Sequence, residues 1–318
     1  MVFTLLVLAA CTEESNPNDI YNKPPYSSLT DSIEQFPKNA ELYYRRAELF
    51  SRNGKEILAE KDVRQAWELH PTEKYALSLI TFLKKRNMDS AILFTEQASQ
   101  KLPESIALQV GLARGYQAKG NNAKAMQISE EIVRKHPKQL DALTIQAELL
   151  KEQDANLALA KLEAAHSLVP SDPQLAYDLA FEYAEAKNAK ALKLTDSLIR
   201  AKAPQLEKAF YLRGLYYANT NNIAEAIKNY DETIRQNYNF LDAYRDKGQL
   251  HFNQKNYAAA RKTFELALRV EPEEPEFYYW LAKIDEAEGK KTEAKLNYKK
   301  AYELDKSFTE AKEAYDRL

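Results

Sequence analysis

Apolar and small residues recur along this chain at spacings of three and four, in runs separated by short polar turns. In residues 241–274, Tyr244, Gly248 and His251, then Tyr257, Ala260, Phe264 and Ala267, mark one face each of two helices. The polar turn between them is Asn253-Gln254-Lys255-Asn256. Other segments place Gly54, Gly120 and Gly289 there, where a left-handed C-cap suits glycine. The pattern predicts an all-α chain built of antiparallel helix hairpins.

The hairpin repeats about every 34 residues. Prolines keep the beat at Pro37, Pro71, Pro103, Pro137, Pro170, Pro204 and Pro272, with Tyr238 and Lys306 in the two remaining slots. Each proline should close a second helix, because it disfavours helix in the residue before it and has no N–H. In step runs an alanine column, Ala59, Ala91, Ala125, Ala158, Ala191, Ala226, Ala260 and Ala294. Only a small side chain fits where the two helices of a hairpin approach closely. A hairpin alone cannot bury its apolar face, so neighbours must supply the core.

The last three segments, 207–240, 241–274 and 275–308, have a small residue eight places in: Gly214, Gly248 and Ala282. Each also has an alanine followed four residues later by a ring: Tyr230, Phe264 and Tyr298. This resembles the tetratricopeptide repeat (TPR), with Phe210, Tyr244 and Tyr278 in place of its first-position tryptophan. The resemblance implies a right-handed α-solenoid superhelix of eight units over residues 40–308. Residues 25–39 match only the second helix of a unit, with Leu29, Ser32, Ile33 and Phe36 before Pro37. Residues 309–318 read as a capping helix whose apolar stripe is Ala311, Ala314, Tyr315 and Leu318.

The first residues follow another rule. Residues 1–10 are apolar and end in Leu8-Ala9-Ala10-Cys11, which resembles the lipobox of bacterial lipoproteins. That resemblance implies cleavage before Cys11, the one cysteine of the chain, and lipid attached to it. The positive segment that opens a signal peptide is absent, which implies a start further upstream. Ten apolar residues are too few to span a bilayer as a helix, which takes about 20. Two or three acyl chains would hold the protein on a membrane. Residues 12–24 are polar and aperiodic and read as a flexible tether. By resemblance Thr12 after the cysteine favours the outer membrane, and Glu13-Glu14 is similar to a surface-export tag.

Composition narrows function. Lys+Arg 45 against Asp+Glu 47, mixed along the chain, leaves a net charge of −2 and no basic run, which makes nucleic acid a poor partner. No histidine pair has metal-ligand spacing, and no phosphate loop or nucleophile elbow is present. His70 and His136 share the slot before the proline, so the repeat explains them. No enzyme and no cofactor are expected.

The resemblance implies a concave groove lined by the first helices of successive units. Its fifth position reads Tyr177, Tyr211, Arg245 and Tyr279 in the last units, and its ninth Phe181, Leu215, Gln249 and Lys283. Members of a pair are four apart and share a helix face. Two readings stand for the rings: contact with a ligand, or packing between first helices. As a ligand site the strip is apolar at one end and positive at the other, which suits a peptide with an apolar anchor and an acidic flank. The leading expectation is a membrane-tethered scaffold of the bacterial envelope that binds a protein segment. The alternatives are an assembly subunit acting through its edges or convex face, self-association included, and a soluble intracellular adaptor.

Overall fold

The structure is a computed structural model that describes residues 17–318. The lipobox, Cys11 and the first part of the expected tether lie outside the described residues. Within them the chain has eighteen α-helices and one 3₁₀ helix, and no strand. It divides into two compact units, the first ending at Gln153 and the second beginning at Asp154.

In the first unit a 3₁₀ helix, Pro17–Asn22, precedes α1 (Ser27–Gln35). Three hairpins follow: α2 (Ala40–Arg52) with α3 (Glu56–Leu69), α4 (Glu73–Arg86) with α5 (Met88–Lys101), and α6 (Ile106–Ala118) with α7 (Asn122–Lys135). The unit closes with α8 (Leu140–Leu150), packed on α7. The second unit opens with α9 (Ala155–Leu168). Four hairpins follow, α10 (Pro173–Glu185) with α11 (Lys190–Arg200), α12 (Leu206–Asn219) with α13 (Ile223–Gln236), α14 (Leu241–Asn253) with α15 (Tyr257–Val270), and α16 (Pro275–Ala287) with α17 (Lys291–Leu304). The last helix, α18 (Thr309–Arg317), lies against α17. Within each unit consecutive helix pairs stack as a TPR-type solenoid. The fourth of the eight expected repeats is divided, with α8 in one unit and α9 in the other.

The repeat's punctuation explains these bounds. Helices α3, α5, α7, α9 and α15 each end two residues before their proline. All eight alanines of the column are buried, seven of them completely. Gly54, Gly120 and Gly289 take positive φ at the turn inside the hairpin, as a left-handed cap requires. Lys187, Asn221 and Lys255 adopt the same conformation in hairpins without a glycine there. In α14 and α15 the small position meets the ring position directly. A Cβ added to Gly248 would lie 2.4 Å from Phe264 Cζ, and one added to Gly214 would lie 2.7 Å from Tyr230 Cε1.

The start of the first unit departs from the expected tether over 12–24. Tyr26 stacks on Phe50 with centroids 4.4 Å apart, and Tyr21 meets the same ring edge-on at 5.4 Å. The buried Arg46 guanidinium lies 4.5 Å from the Tyr21 ring centroid. Its Nε and Nη2 donate to the Asp62 carboxylate at 2.7 and 2.9 Å, and its Nη1 donates to Thr30 Oγ1 at 3.1 Å. The Thr30 hydroxyl in turn donates to the Tyr21 carbonyl at 2.8 Å. The two tyrosines carry enough apolar surface to fold the end of the tether onto α2. Phe36, grouped with the apolar stripe of α1, is 60% exposed instead, because α1 ends at Gln35 and the ring turns outward. At the other end Ala311 is buried, and Ala314, Tyr315 and Leu318 pack around Tyr298.

Candidate binding face

The expected site lies wholly in the second unit, on the first helices α10, α12, α14 and α16. The helix period puts positions five and nine of each on one face.

The rings at position five pack against the segment that leads into the next first helix. Tyr177 is 4% exposed, and its hydroxyl donates to the carbonyls of Pro204 and Gln205 at 2.8 and 3.1 Å. Burial pushes the Tyr177 hydroxyl pKa up, and nearby Glu207 adds to this. The Tyr211 ring lies 4.9 Å from Phe240 and 5.7 Å from Tyr230, and its hydroxyl donates to Asp246 Oδ2 at 2.7 Å. Its pKa is raised strongly, first by burial and then by the Asp246 charge. Tyr279 repeats the arrangement on Phe308, with centroids 4.9 Å apart. Of the two readings of these rings, packing describes Tyr177: no ligand reaches a ring so enclosed. The reason is geometric, since the link between hairpins folds back over position five.

Of position five only Tyr177 is enclosed; Tyr211, Arg245 and Tyr279 are half-buried, as is all of position nine. Phe181, Leu215, Gln249 and Lys283 are all half-buried, one on each successive first helix. Phe181 and Leu215 flank the apolar cluster built on Tyr177, Ala180 and Leu212. The Lys283 ammonium lies 4.7 Å from the Trp280 ring centroid, a cation–π distance. Trp280 itself stacks on Phe264 at 5.9 Å and donates its indole N–H to Glu276 Oε1 at 3.3 Å.

The expected positive strip is corrected at Arg245. Its guanidinium faces three carboxylates: Asp242 at 2.6 Å, Asp246 at 3.3 Å and Glu276 at 3.8 Å. Burial alone would lower the Arg245 pKa, but Asp246, Asp242 and Glu276 together raise it. Burial raises the pKa of Asp246, against the pull of the Tyr211 hydroxyl and Arg245. It does the same to Glu276, against the Trp280 N–H and Arg245. One cation set among three carboxylates leaves this part of the face acidic. The sequence carried a readable sign of it: Asp242 and Glu276 occupy the same slot in successive repeats. Reading the fifth and ninth positions alone missed the second.

Among the described residues no group of three or more His, Cys, Asp or Glu side chains is placed to hold a metal ion. No helix among them is long and apolar enough to cross a membrane.

Comparison with known proteins agrees with the repeat. Residues 211–269 and 246–307 match the family model described as tetratricopeptide repeat. No curated protein matches significantly. A tetratricopeptide repeat protein from Parabacteroides merdae shares the fold with a TM-score of 0.54 at 18% identity, over 87% of this chain and 98% of that one. PilW, a widely conserved type IV pilus biogenesis factor, gives a TM-score of 0.54 at 17% identity, over 64% of this chain and 95% of its own. The pilF protein of Pseudomonas aeruginosa gives 0.51 at 16%, over 68% and 99%. At these identities the likeness speaks for fold alone. The last three hairpins therefore match the tetratricopeptide repeat in sequence, and the chain shares the fold of tetratricopeptide-repeat proteins over most of its length.

Proposed function

We propose that this chain is a non-catalytic scaffold, anchored at a bacterial envelope membrane through lipid on Cys11, that holds a protein segment on the first-helix face of its second unit. The row Phe181, Leu215, Gln249 and Lys283 carries the reading. It offers partly open side chains at one register position of four successive helices, on a base fixed by Tyr177 and Tyr211. A segment crossing it would set an apolar side chain against Phe181 and Leu215. Beyond them it would meet Asp242, Asp246 and Glu276 around Arg245, so a basic group suits that stretch, before Lys283. PilW is a pilus biogenesis factor, and assembly of an envelope complex is the role proposed here by analogy. By resemblance to bacterial lipoproteins, Thr12 after Cys11 favours the outer membrane for the anchor.

Crosslinking in cells, followed by capture of the full chain and mass spectrometry, tests the face. The comparison is with a Phe181→Ala, Leu215→Ala variant whose helicity is unchanged. A defined envelope protein lost from the variant supports the proposal. The same protein captured equally by both moves binding to the edges or the convex side. Metabolic labelling with a fatty acid tests the anchor: label on the parent and none on Cys11→Ala is expected. An unlabelled parent found in the cytosol would favour a soluble adaptor.

A further inference from the structure

The second helices of the second unit share a charge pattern until the last of them. Five residues after the alanine column stand Asp196 on α11, Asp231 on α13 and Glu265 on α15. Two of these carboxylates bridge to the next first helix: Asp196 meets Arg213 at 2.9 Å, and Asp231 meets Lys247 at 2.5 Å. On α17 the same position is Lys299, and on α18 the position of Arg213 and Lys247 is Tyr315. The sign is reversed at this joint, and its carboxylate is gone. Two more lysines extend the row, because Lys291 and Lys295 stand where α13 has Ile223 and Ile227.

Beside this row, between α17 and α18, lies a cavity of about 330 Å³. Its lining includes Lys291, Lys295, Leu296, Lys299, Tyr315 and Leu318, and none of the described residues that line it is acidic. Leu296 is 63% exposed, at a position where α11, α13 and α15 carry Lys193, Lys228 and Lys262. The Lys295 ammonium lies 5.2 Å from the Tyr315 ring centroid. Among the described residues Lys291 and Lys295 form no ion pair, and Lys299 reaches only Glu303, at 3.6 Å on its own helix. Tyr315 and Leu318 are half-buried. Their equivalents in α16, Leu281 and Ile284, are buried in a hairpin that has its second helix. The cavity is separate from the first-helix face, whose fifth and ninth positions on α18 are Glu313 and Arg317.

We propose that the cavity between α17 and α18 docks an acidic amphipathic helix of a partner protein, with one leucine-sized side chain in the cavity and carboxylates at every fourth residue along the lysines. Spacing decides against a single anion. Lys291, Lys295 and Lys299 follow one another at about 6 Å along the helix axis, so they form a ladder and do not converge on one point as donors to a phosphate would. Carboxylates four residues apart on a second helix repeat at the same interval. Shape decides against a membrane. The apolar floor lies between two helices, so a flat lipid surface would meet the lysine tips and leave Tyr315 and Leu318 unfilled. A helix with an apolar stripe fills such a groove, and in the hairpin of α16 a helix is what completes the same positions. The inference rests on the reading of the chain as a protein-binding scaffold, but not on the row from Phe181 to Lys283.

The test uses the full chain and a fluorescent helical peptide with three glutamates, each four residues from the next, around a central leucine. Binding is read by anisotropy at low salt. Replacing the glutamates by glutamine is expected to weaken binding about tenfold or more, as the loss of three exposed ion pairs implies. Added salt should weaken the parent peptide in the same direction. The charge-reversed chain, Lys291→Glu with Lys295→Glu and Lys299→Glu, is expected to lose the peptide with helicity unchanged and to bind a counterpart with lysines for glutamates. Leu296→Ser, at an exposed position, serves if that variant does not fold, and should weaken the peptide too. Equal binding of the glutamate and glutamine peptides, binding that survives charge reversal, or no binding at all would overturn the proposal. A dimer in sedimentation that charge reversal abolishes would overturn it in favour of a second copy. Binding to phosphatidylglycerol vesicles abolished in the same way, with the peptide unbound, would overturn it in favour of a membrane. The in-cell capture separates the two readings. Peptide binding lost on charge reversal, with capture unchanged in Phe181→Ala, Leu215→Ala, sustains this site while the other face fails. The reverse pattern sustains that face and overturns this site.

Discussion

Hairpin α2/α3 in the first unit and hairpin α14/α15 in the second solve the same helix crossing in two ways. In α14/α15 a ring does the filling: Phe264 lies over Gly248 and stacks on Trp280. In α2/α3 the crossing has Ala47 and Val63, and a polar clasp beside it joins the helices. That clasp is the buried pair of Arg46 and Asp62, sixteen residues apart. The second unit keeps a weaker form at the same separation, where Arg213 Nε donates to Asn229 Oδ1 at 2.8 Å. One crossing is closed by volume. The other is tied by charge and leaves a cavity of about 210 Å³. A repeat sequence thus tunes its surface unit by unit while the backbone plan stays constant.

The sharpest way to break the comparison is at the clasp. Arg46→Ala should destabilise the first unit by about 3–5 kcal/mol, because Asp62 is left buried without its partner. Replacing both, as Arg46→Met with Asp62→Leu, should recover most of that loss, since an apolar pair of similar volume has no charge to desolvate. Thermal unfolding combined with hydrogen exchange resolved to α2 and α3 reads both. A single variant that costs less than about 1 kcal/mol would show that the clasp is solvated.

The ring-filled crossing comes next. A Cβ at position 248 collides with Phe264, so Gly248→Ala should cost about 1–3 kcal/mol through a displaced ring. Val63→Leu adds carbon to the open crossing, where the cavity takes it, and should change stability by less than about 1 kcal/mol in either direction. Equal costs for the two substitutions would mean that the crossings do not differ in packing. Denaturant midpoints at unchanged slope give the comparison.

Much of this architecture was legible in the chain. The proline beat gave helix ends, and the alanine column gave the hairpin crossings, because both are set by local sterics that recur in every repeat. The ring column gave Tyr230, Phe264 and Tyr298 for the same reason. The candidate face was less legible. Tyr177 and Phe181 look alike in the register, yet Tyr177 is buried with its hydroxyl on Pro204 and Gln205, while Phe181 is half-buried. Arg245 reads as a positive group until Asp242, Asp246 and Glu276 are brought around it from two helices. The Arg46–Asp62 clasp was hidden because charged residues on these helices default to the solvent face. Its separation of sixteen, repeated by Arg213 and Asn229, was the available clue.

A smaller effect sharpens the contrast within the face itself. Tyr177→Phe removes a hydroxyl that serves two carbonyls and keeps the ring, and should cost about 1 kcal/mol. Loss of the full ring in Tyr177→Ala should cost about 3–5 kcal/mol and loosen the start of α12. Phe181→Ala, on the more open position, should cost less than Tyr177→Ala when the two are compared by thermal unfolding. The reverse order would make Phe181 the packing residue and Tyr177 the better candidate for a ligand.

The smallest effect separates the units by pH. Asp246 is buried in the second unit, and its native pKa stands above its unfolded value of 3.8. Between those two values the folded form keeps a proton that the unfolded chain has released. Stability from this group therefore falls as pH rises through that window. Glu41 in the first unit behaves oppositely. Burial pushes it up, but Lys74, Tyr75 and Arg45 outweigh that and hold it below 4.5. Its contribution is present above 4.5 and is lost as pH falls through its lowered native value. Being partly exposed, it contributes little. Profiles of stability against pH for Asp246→Asn and Glu41→Gln, each subtracted from the parent, should therefore slope in opposite directions in mild acid. Parallel difference curves would mean that Asp246 is solvated and that the carboxylates around Arg245 are open to water.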